Sequence, residues 1–267
     1  MLSFNSLQNF FILNSSLLLL GYVQYNILSI YNNILVIFCI FIGRNYILLN
    51  GIDYFTKNKP SISNEIIEFQ NDFHIHVITT TAVESITHLF IKNIYFNKNI
   101  NNNLFSFIWL SFLFEIIFDF FHYFTHRLLH NKYLYIYLHK KHHTFKHPIS
   151  ILAFYQEPLD LFITNSIPTI LALLIISYMS YISYLQFNFI IIYKIFIEIS
   201  GHSGKISYPT CSFPQFIWLP KLLNIELYTE DHDLHHSLNN CNYAKRFSLW
   251  DKIFNTYKTK TLSKYNI

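Results

Sequence analysis

Charged residues are scarce in this sequence. Asp, Glu, Lys and Arg make up 13% of its 267 residues, about half the roughly 25% of an ordinary soluble domain, and the shortage argues against a water-soluble globule of one or two domains. Cysteine is scarce too: Cys39, Cys211 and Cys241 are odd in number and far apart. They supply neither a disulfide framework nor a C-x-x-C zinc knuckle, which fits a reducing compartment. Residues 1–8 lack Lys and Arg, so no standard signal peptide is visible and the first apolar run is expected to stay as an anchor. Outside the apolar runs no Arg/Lys stripe alternates with aromatics, and no nucleic-acid motif occurs; nucleic acid is not an expected partner. H-E-x-x-H, the helical zinc-hydrolase motif, is missing as well.

What is present is apolar. Hydrophobic residues make up 52% of the chain, with 28 Phe and 20 Tyr. A membrane-crossing helix needs about 20 mostly apolar residues, and the runs 10–23, 27–49, 104–121, 161–178 and 181–199 are candidates. A weaker sixth run, 74–96, carries His76, Glu84 and His88 and is a candidate interfacial helix. Residues 51–70, with Lys57, Lys59, Pro60 and Ser61, form a polar connector and 97–103 an Asn-rich loop, while the turn near Met179 suggests a helical hairpin. Beyond Gly201, Pro209, Pro214 and Pro220 break any long helix.

The expected fold is an all-α integral membrane protein. Four to six membrane-embedded helices would carry a cytosolic helical cap, with N-terminal helices and connectors over 1–103 and a histidine-bearing domain over 104–267. Net charge is +4, and most Lys and Arg follow residue 122. The positive-inside bias therefore places the later polar segments in the cytosol.

Those segments hold histidine. Nine of the 14 fall in three windows: HYFTHRLLH (His122, His126, His130), HKKHH (His139, His142, His143) and HDLHH (His232, His235, His236). Neutral imidazole is the commonest protein metal ligand, and crowded imidazoles are electrostatically awkward unless a cation holds them. On a helix, Glu115, Asp119, His122, His126 and His130 fall within roughly 80° of arc. Ionisable groups on so apolar a helix are costly and face the interior. Glu115 and Asp119 are expected to orient imidazole N–H groups; the plainer alternative is a polar contact between helices. In H-x-x-H-H, positions i, i+3 and i+4 share one helical face, so three imidazoles converge on one or two cations. Two triplets plus the first cluster exceed what one four-coordinate ion needs and imply two metals.

His202, in GHSG, stands alone. Glu198 lies one turn earlier and Gly201 and Gly204 let the chain turn sharply, so ligand and structural roles are both open. His74, His76 and His88 lack such support and are expected to pack or lie at the interface. His147, before Pro148, is either substrate-side or a helix-end cation.

With these motifs, the stretch from about residue 115 to 259 resembles the fatty acid hydroxylase/sterol desaturase superfamily of membrane di-iron oxygenases. The family's H-x-x-x-H box and two H-x-x-H-H boxes match His126 to His130, His139 to His143 and His232 to His236. The segment NCNYAKRFSLWDKIFNTYKT, with Asn240, Asn242, Trp250, Asp251 and Thr256, is similar to the cholesterol 25-hydroxylase, C-4 methylsterol oxidase and sterol C-5 desaturase branch, whose H-S-G GHSG also resembles. Lys205 and Asn255 depart from an aromatic and a Gly usual in relatives, and His122 is shared by only part of the family.

The resemblance implies two Fe ions, with Zn possible in a purified preparation, held by His122, His126, His130, His139, His142, His143, His202, His232, His235 and His236. It implies O2-dependent hydroxylation or desaturation of a membrane lipid, a sterol or a fatty acyl or sphingoid chain, in the endoplasmic reticulum with the boxes facing the cytosol. The lipid would enter from the bilayer. Electrons would come from a donor such as cytochrome b5 with an NAD(P)H reductase; Lys140, Lys141, Lys245 and Arg246 offer a basic face to it, or simply follow positive-inside topology. Two other classes stay open. A membrane zinc hydrolase lacks a carboxylate inside a box apart from Asp233, and a metal transporter would place its ligands near the bilayer midplane, whereas two clusters here lie in polar segments.

Overall fold

A computed structural model describes residues 4–68, 72–96, 106–206 and 212–259. The Asn-rich loop at 97–103, Pro209 and Cys211 lie outside them. All regular elements described are helical. The main ones are α1 (Phe4–Ile30), α2 (Ile34–Thr56), α3 (Asp72–Tyr95) and α4 (Phe107–Leu129). They are followed by α5 (Pro158–Ser177, with a π-helical turn at Phe162–Ser166), α6 (Tyr184–Gly201) and α7 (Thr229–Leu238). Among the described residues, four helices are long and apolar enough to cross a membrane: α1 from Leu7, α2, α4 and α5.

Polar caps set the boundaries. Asn33 precedes α2 in extended geometry and its side chain accepts from Leu35 N at 2.8 Å. Residues 27–30 therefore finish α1 instead of opening the second span, because an Asn side chain offers the backbone a local alternative to helix. Ser183 and Gln186 form a reciprocal capping box that starts α6. The weak run at 74–96 is a full helix, α3, whose buried face mixes Phe73, Val77 and Ile91 with Thr80, Thr81 and Ser85.

Between lipid-facing helices, burial supplies little drive, so close packing and polar contacts decide who neighbours whom. Helix α6 is the buried centre. A Cβ on Gly21 of α1 would sit 2.7 Å from the Phe189 ring, so only glycine allows this approach. Gln24 donates to Asn188 at 2.8 Å and Tyr193 to Asn14 at 2.7 Å along the same seam. Helix α5 instead lies on α4. The turn near Met179 thus joins two helices with different main partners, not a packed hairpin, because the polar partners of α6 sit on α1. Arg44 with Glu84 (2.6 Å) and Asn45 with Thr81 (2.9 Å) bind α2 to α3.

The histidine-bearing segments gather where α4 ends, α5 begins and α6 ends. The polar connector after α2 reaches across them: Ile62 N donates to Gly204 O at 2.9 Å and Ile206 N to Pro60 O at 3.0 Å. At Gly204, φ is +64° and a Cβ would lie 2.7 Å from Pro148 O, so this loop closes only with glycine.

Candidate metal centre

The last turn of α4 presents His126 and His130, and α7 presents His232, His235 and His236. His202 follows α6 as its C-cap. The middle box is not α-helical. His139 ends a π-helical turn over Tyr135–His139, and His142 and His143 lie in a 3-10 turn with His143 at φ −92°, ψ 15°.

Nine of the ten expected ligands fall into two groups. His126, His130, His139, His143 and His235 form one; His142, His202, His232 and His236 form the other, and within each the ligand nitrogens lie within 4.8 Å of one another. The pattern is systematic. The i, i+4 pairs 126/130, 139/143 and 232/236 stay together, while the i+3 histidine of each triplet, His142 or His235, crosses to the other group. His122 stands outside both. Its Nδ1 donates to Thr164 O at 2.6 Å, its buried Nε2 has no hydrogen-bond partner, and its ring centre is 5.0 Å from that of His126.

Hydrogen bonds fix which nitrogen carries the proton. A carbonyl or carboxylate only accepts, so Nδ1–H must donate from His126 to Tyr243 O, from His139 to Asp160 and from His235 to Cys241 O, each at 2.7 Å. Their Nε2 atoms are then lone pairs. Yet Nε2 of His126 lies 3.0 Å from that of His139 and 3.1 Å from that of His235, with no proton left to bridge them. A cation resolves the conflict: two nitrogens about 2.1 Å from one ion at a right angle are about 3.0 Å apart. In the second group His202 donates from Nδ1 to Glu198 O at 2.8 Å, and its Nε2 lies 3.1 Å from His232 Nε2 and 3.3 Å from His142 Nε2.

Burial keeps His142, His143, His202, His232, His235 and His236 neutral. It pushes His235 down to about 3 and His202 to about 4, and together with neighbouring imidazoles it holds His142, His143, His232 and His236 well below the ordinary value. Neutral imidazole is the form that binds metal.

The supporting contacts differ from the expected ones. Asp119 touches no imidazole; it accepts from the backbone N–H groups of Lys245, Arg246 and Phe247 at 2.7, 2.9 and 3.0 Å. Glu115 pairs with Arg246 at 2.9 Å. Both carboxylates hold the segment after α7 against α4. Glu198 serves His202 through its carbonyl while its carboxylate binds Lys245. Lys245 and Arg246 are turned inward, with side chains 13% and 0% exposed, so they form no outer basic face. Lys140 is exposed, and Lys141 pairs with Glu157 at 2.7 Å.

Asp160 escaped the sequence reading. Its signal was a carboxylate two residues after Pro158 at the start of an apolar run. The NCNY segment also does more than motif matching shows. Asn239 and Asn242 adopt left-handed φ of 60° and 54°, which Asn tolerates, and the turn they make delivers the Cys241 and Tyr243 carbonyls to His235 and His126. Asp251 accepts from Tyr243 N and Ala244 N, both at 2.8 Å, and steadies it.

The remaining histidines lie outside both groups. His74 bonds Tyr46 at 2.7 Å, His76 packs edge-on to Tyr155, His88 bonds Tyr184 at 2.9 Å, and His147 pairs with Asp233 at 2.9 Å.

The profile of the family described as fatty acid hydroxylase matches residues 111–256, more than half of the chain and all nine grouped histidines. The chain belongs to the fatty acid hydroxylase family. Within that family it is similar to Methylsterol monooxygenase 1 of Rattus norvegicus, 36% identical over 143 residues that cover 53% of this chain and 44% of the relative. It is also similar to Fatty acid hydroxylase vlmA of Lecanicillium sp, 32% identical over 157 residues (56% and 41%). C-4 methylsterol oxidase erg25 of Schizosaccharomyces pombe is 30% identical over 151 residues (56% and 47%). The chain thus spans under half the length of these fatty acid hydroxylase relatives. No solved structure matches it. Its departure at Asn255 keeps the backbone of a glycine turn, since Asn255 sits at φ 57°, and Lys205 donates to Ser61 of the connector at 2.9 Å.

Proposed function

We propose that this chain oxidises a membrane lipid with O2 at a centre of two iron ions. Support comes above all from the two groups of imidazoles whose Nε2 lone pairs face one another at 3.0–3.3 Å. His126, His130, His139, His143 and His235 would hold one ion and His142, His202, His232 and His236 the other; His122 would neighbour them without a metal bond. Iron with imidazole ligands and open positions supplies O2 activation and removal of hydrogen from an unactivated C–H bond.

The chain's own residues prepare for that chemistry. Asp160 and the carbonyls of Tyr243, Cys241 and Glu198 hold Nδ1 protons so that Nε2 faces inward. Burial excludes water from reactive groups. His130 borders a surface recess lined by Phe124, Arg127, Leu128 and Tyr243, an approach for O2 or lipid to the first group. The substrate is a sterol or a fatty acyl or sphingoid chain reached from the bilayer; electrons come from a donor such as cytochrome b5 with its NAD(P)H reductase. The setting is the endoplasmic reticulum with the boxes toward the cytosol, and 104–267 is the catalytic unit. A zinc hydrolase is disfavoured, because Asp233, the carboxylate inside a box, faces His147.

The test is expression in yeast lacking one sterol or sphingolipid oxygenase, with lipid profiling by mass spectrometry and metal analysis of the purified chain. A new O2-dependent hydroxyl or double bond, with about two irons per chain, is expected. A chain without redox metal that alters no lipid under O2 sinks the proposal.

A further inference from the structure

Of the nine histidines in the two groups, eight are buried. The exception is His130, which is partly exposed. Its Nε2 is buried, so another side of the ring borders the surface recess, beside Arg127, Asn131 and Tyr243. The chain around that ring is basic. Arg127, Lys132 and Lys140 are exposed, and among the described residues none of the three is in ion-pair contact with a carboxylate. By contrast Lys141 has Glu157, Lys245 has Glu198 and Arg246 has Glu115.

Local structure holds these charges close to the His130 ring. Arg127 stands three residues before His130 at the end of α4, so the two share a helical face. Its guanidinium donates to Tyr123 Oη at 2.9 Å and lies 5.9 Å from the centres of the Tyr123 and Tyr243 rings. Lys132 follows His130 by two residues. The Tyr135 ring lies 5.6 Å from that of His130, and Tyr135 O accepts from Lys140 N at 2.8 Å, which sets Lys140 one π-helical turn beyond Tyr135. Phe124 and Leu128 on the same recess are 42% and 56% exposed, apolar surface of the kind that sits at the middle of a protein contact rimmed by charge.

We propose that electrons enter here: an acidic one-electron carrier protein docks on Arg127, Lys132 and Lys140, and its electrons reach the first histidine group through the His130 ring. The proposal rests on the lipid-oxidase reading and deepens it. Hydroxylation of one C–H bond consumes O2, two electrons and two protons and releases one water; desaturation consumes the same and releases two waters. A one-electron carrier therefore docks twice per turnover. Electron transfer weakens steeply with distance through protein, so a ligand ring that reaches the surface serves better than eight that do not. Unpaired positive charge beside that ring steers an acidic carrier to it. Electron-transfer encounters are small, below about 1,200 Å², and transient, so one edge of the site suffices and the recess is open to O2 or lipid between encounters.

The probe is the soluble, acidic haem domain of cytochrome b5, and the full chain is held in phosphatidylcholine nanodiscs. Binding of the oxidised probe to chelator-treated chain is measured first; reoxidation of the reduced probe by iron-loaded chain is then followed by stopped-flow absorbance without O2. Both are expected to weaken as salt rises from about 50 to about 500 mM. Combined Arg127→Glu, Lys132→Glu and Lys140→Glu is expected to weaken binding and slow reoxidation at least tenfold at the lower salt, with metal content and reduction by dithionite unchanged. Should loss of the Tyr123 bond lower metal content, Lys132→Glu with Lys140→Glu is expected to give at least a threefold loss. Carbodiimide is expected to couple the probe's carboxylates to Lys132 or Lys140. Native binding no tighter than that of the reversed variants overturns the proposal, as does coupling confined to other lysines such as Lys221. So does a patch that holds spin-labelled phosphatidylserine and not the haem domain. The two readings fail separately: docking at this patch by a chain without redox metal sinks the oxidase and leaves the surface, and lipid oxidation by an iron protein that the reversed charges do not affect does the opposite.

Discussion

The chemistry of single residues turns on where each imidazole keeps its proton. Asp160 fixes His139 with a 2.7 Å bond, and loss of such an outer partner typically costs 10–100-fold in metal affinity. Asp160→Asn is therefore expected to leave a folded chain that binds metal 10–100-fold more weakly in a chelator competition. His142→Ala or His235→Ala removes the crossing member of a triplet and is expected to abolish turnover, while His74→Ala, whose ring bonds Tyr46, is not. Equal tolerance at all three positions would refute the ligand assignment. His122→Ala is expected to keep its full metal content by elemental analysis, since His122 lies outside both groups; loss of half the metal would instead make it a ligand. The sequence already marked all these histidines by spacing. It misplaced the roles of Glu115 and Asp119, because a helical stripe shows which way a side chain faces and not what arrives opposite it.

At the scale of elements, the site depends on segments that are not ideal helices. The middle box sits on π-helical and 3-10 turns, which lets His139 and His143 go one way and His142 the other. Regular spacing could not have shown that split. Gly204→Ala is expected to strain the H-S-G loop, since φ is +64° and the new Cβ would meet Pro148 O at 2.7 Å. The cost should be about 1–3 kcal/mol, visible as a lower melting temperature together with reduced metal retention through His202. Arg246 ties the segment after α7 to Glu115 of α4 and, at 3.7 Å, to Glu198 of α6. Arg246→Met leaves Glu115 buried without its ion-pair partner, while Glu198 keeps Lys245, and is expected to cost about 3–5 kcal/mol. A variant that melts like the native chain would show that the network adds nothing to stability.

For the molecule as a whole, the imidazole groups link folding to pH and to metal. His235 and His202 are held down to about 3 and about 4 in the fold, against roughly 6.5 in an unfolded chain. As pH falls below ~6.5 the unfolded state takes up protons that the folded, ion-free state refuses, so stability declines from there to about pH 4 and is level above about pH 7. Chelator-treated protein in detergent should therefore melt lower at pH 5 than at pH 7.5, and restored metal should raise the melting temperature at pH 7.5; melting points equal at both pH values would contradict the linkage.

By itself the sequence determined an apolar helical chain, histidines at ligand spacing and membership of a family, because composition and short-range periodicity are local properties. Only the tertiary structure decided how nine histidines divide between two groups. It also turned Lys245 and Arg246 inward and made Asp119 the anchor of backbone 126 to 128 residues away. These are contacts between distant segments, set by which helices pack together and by the need to satisfy each buried charge and N–H group, and no window of sequence contains both partners.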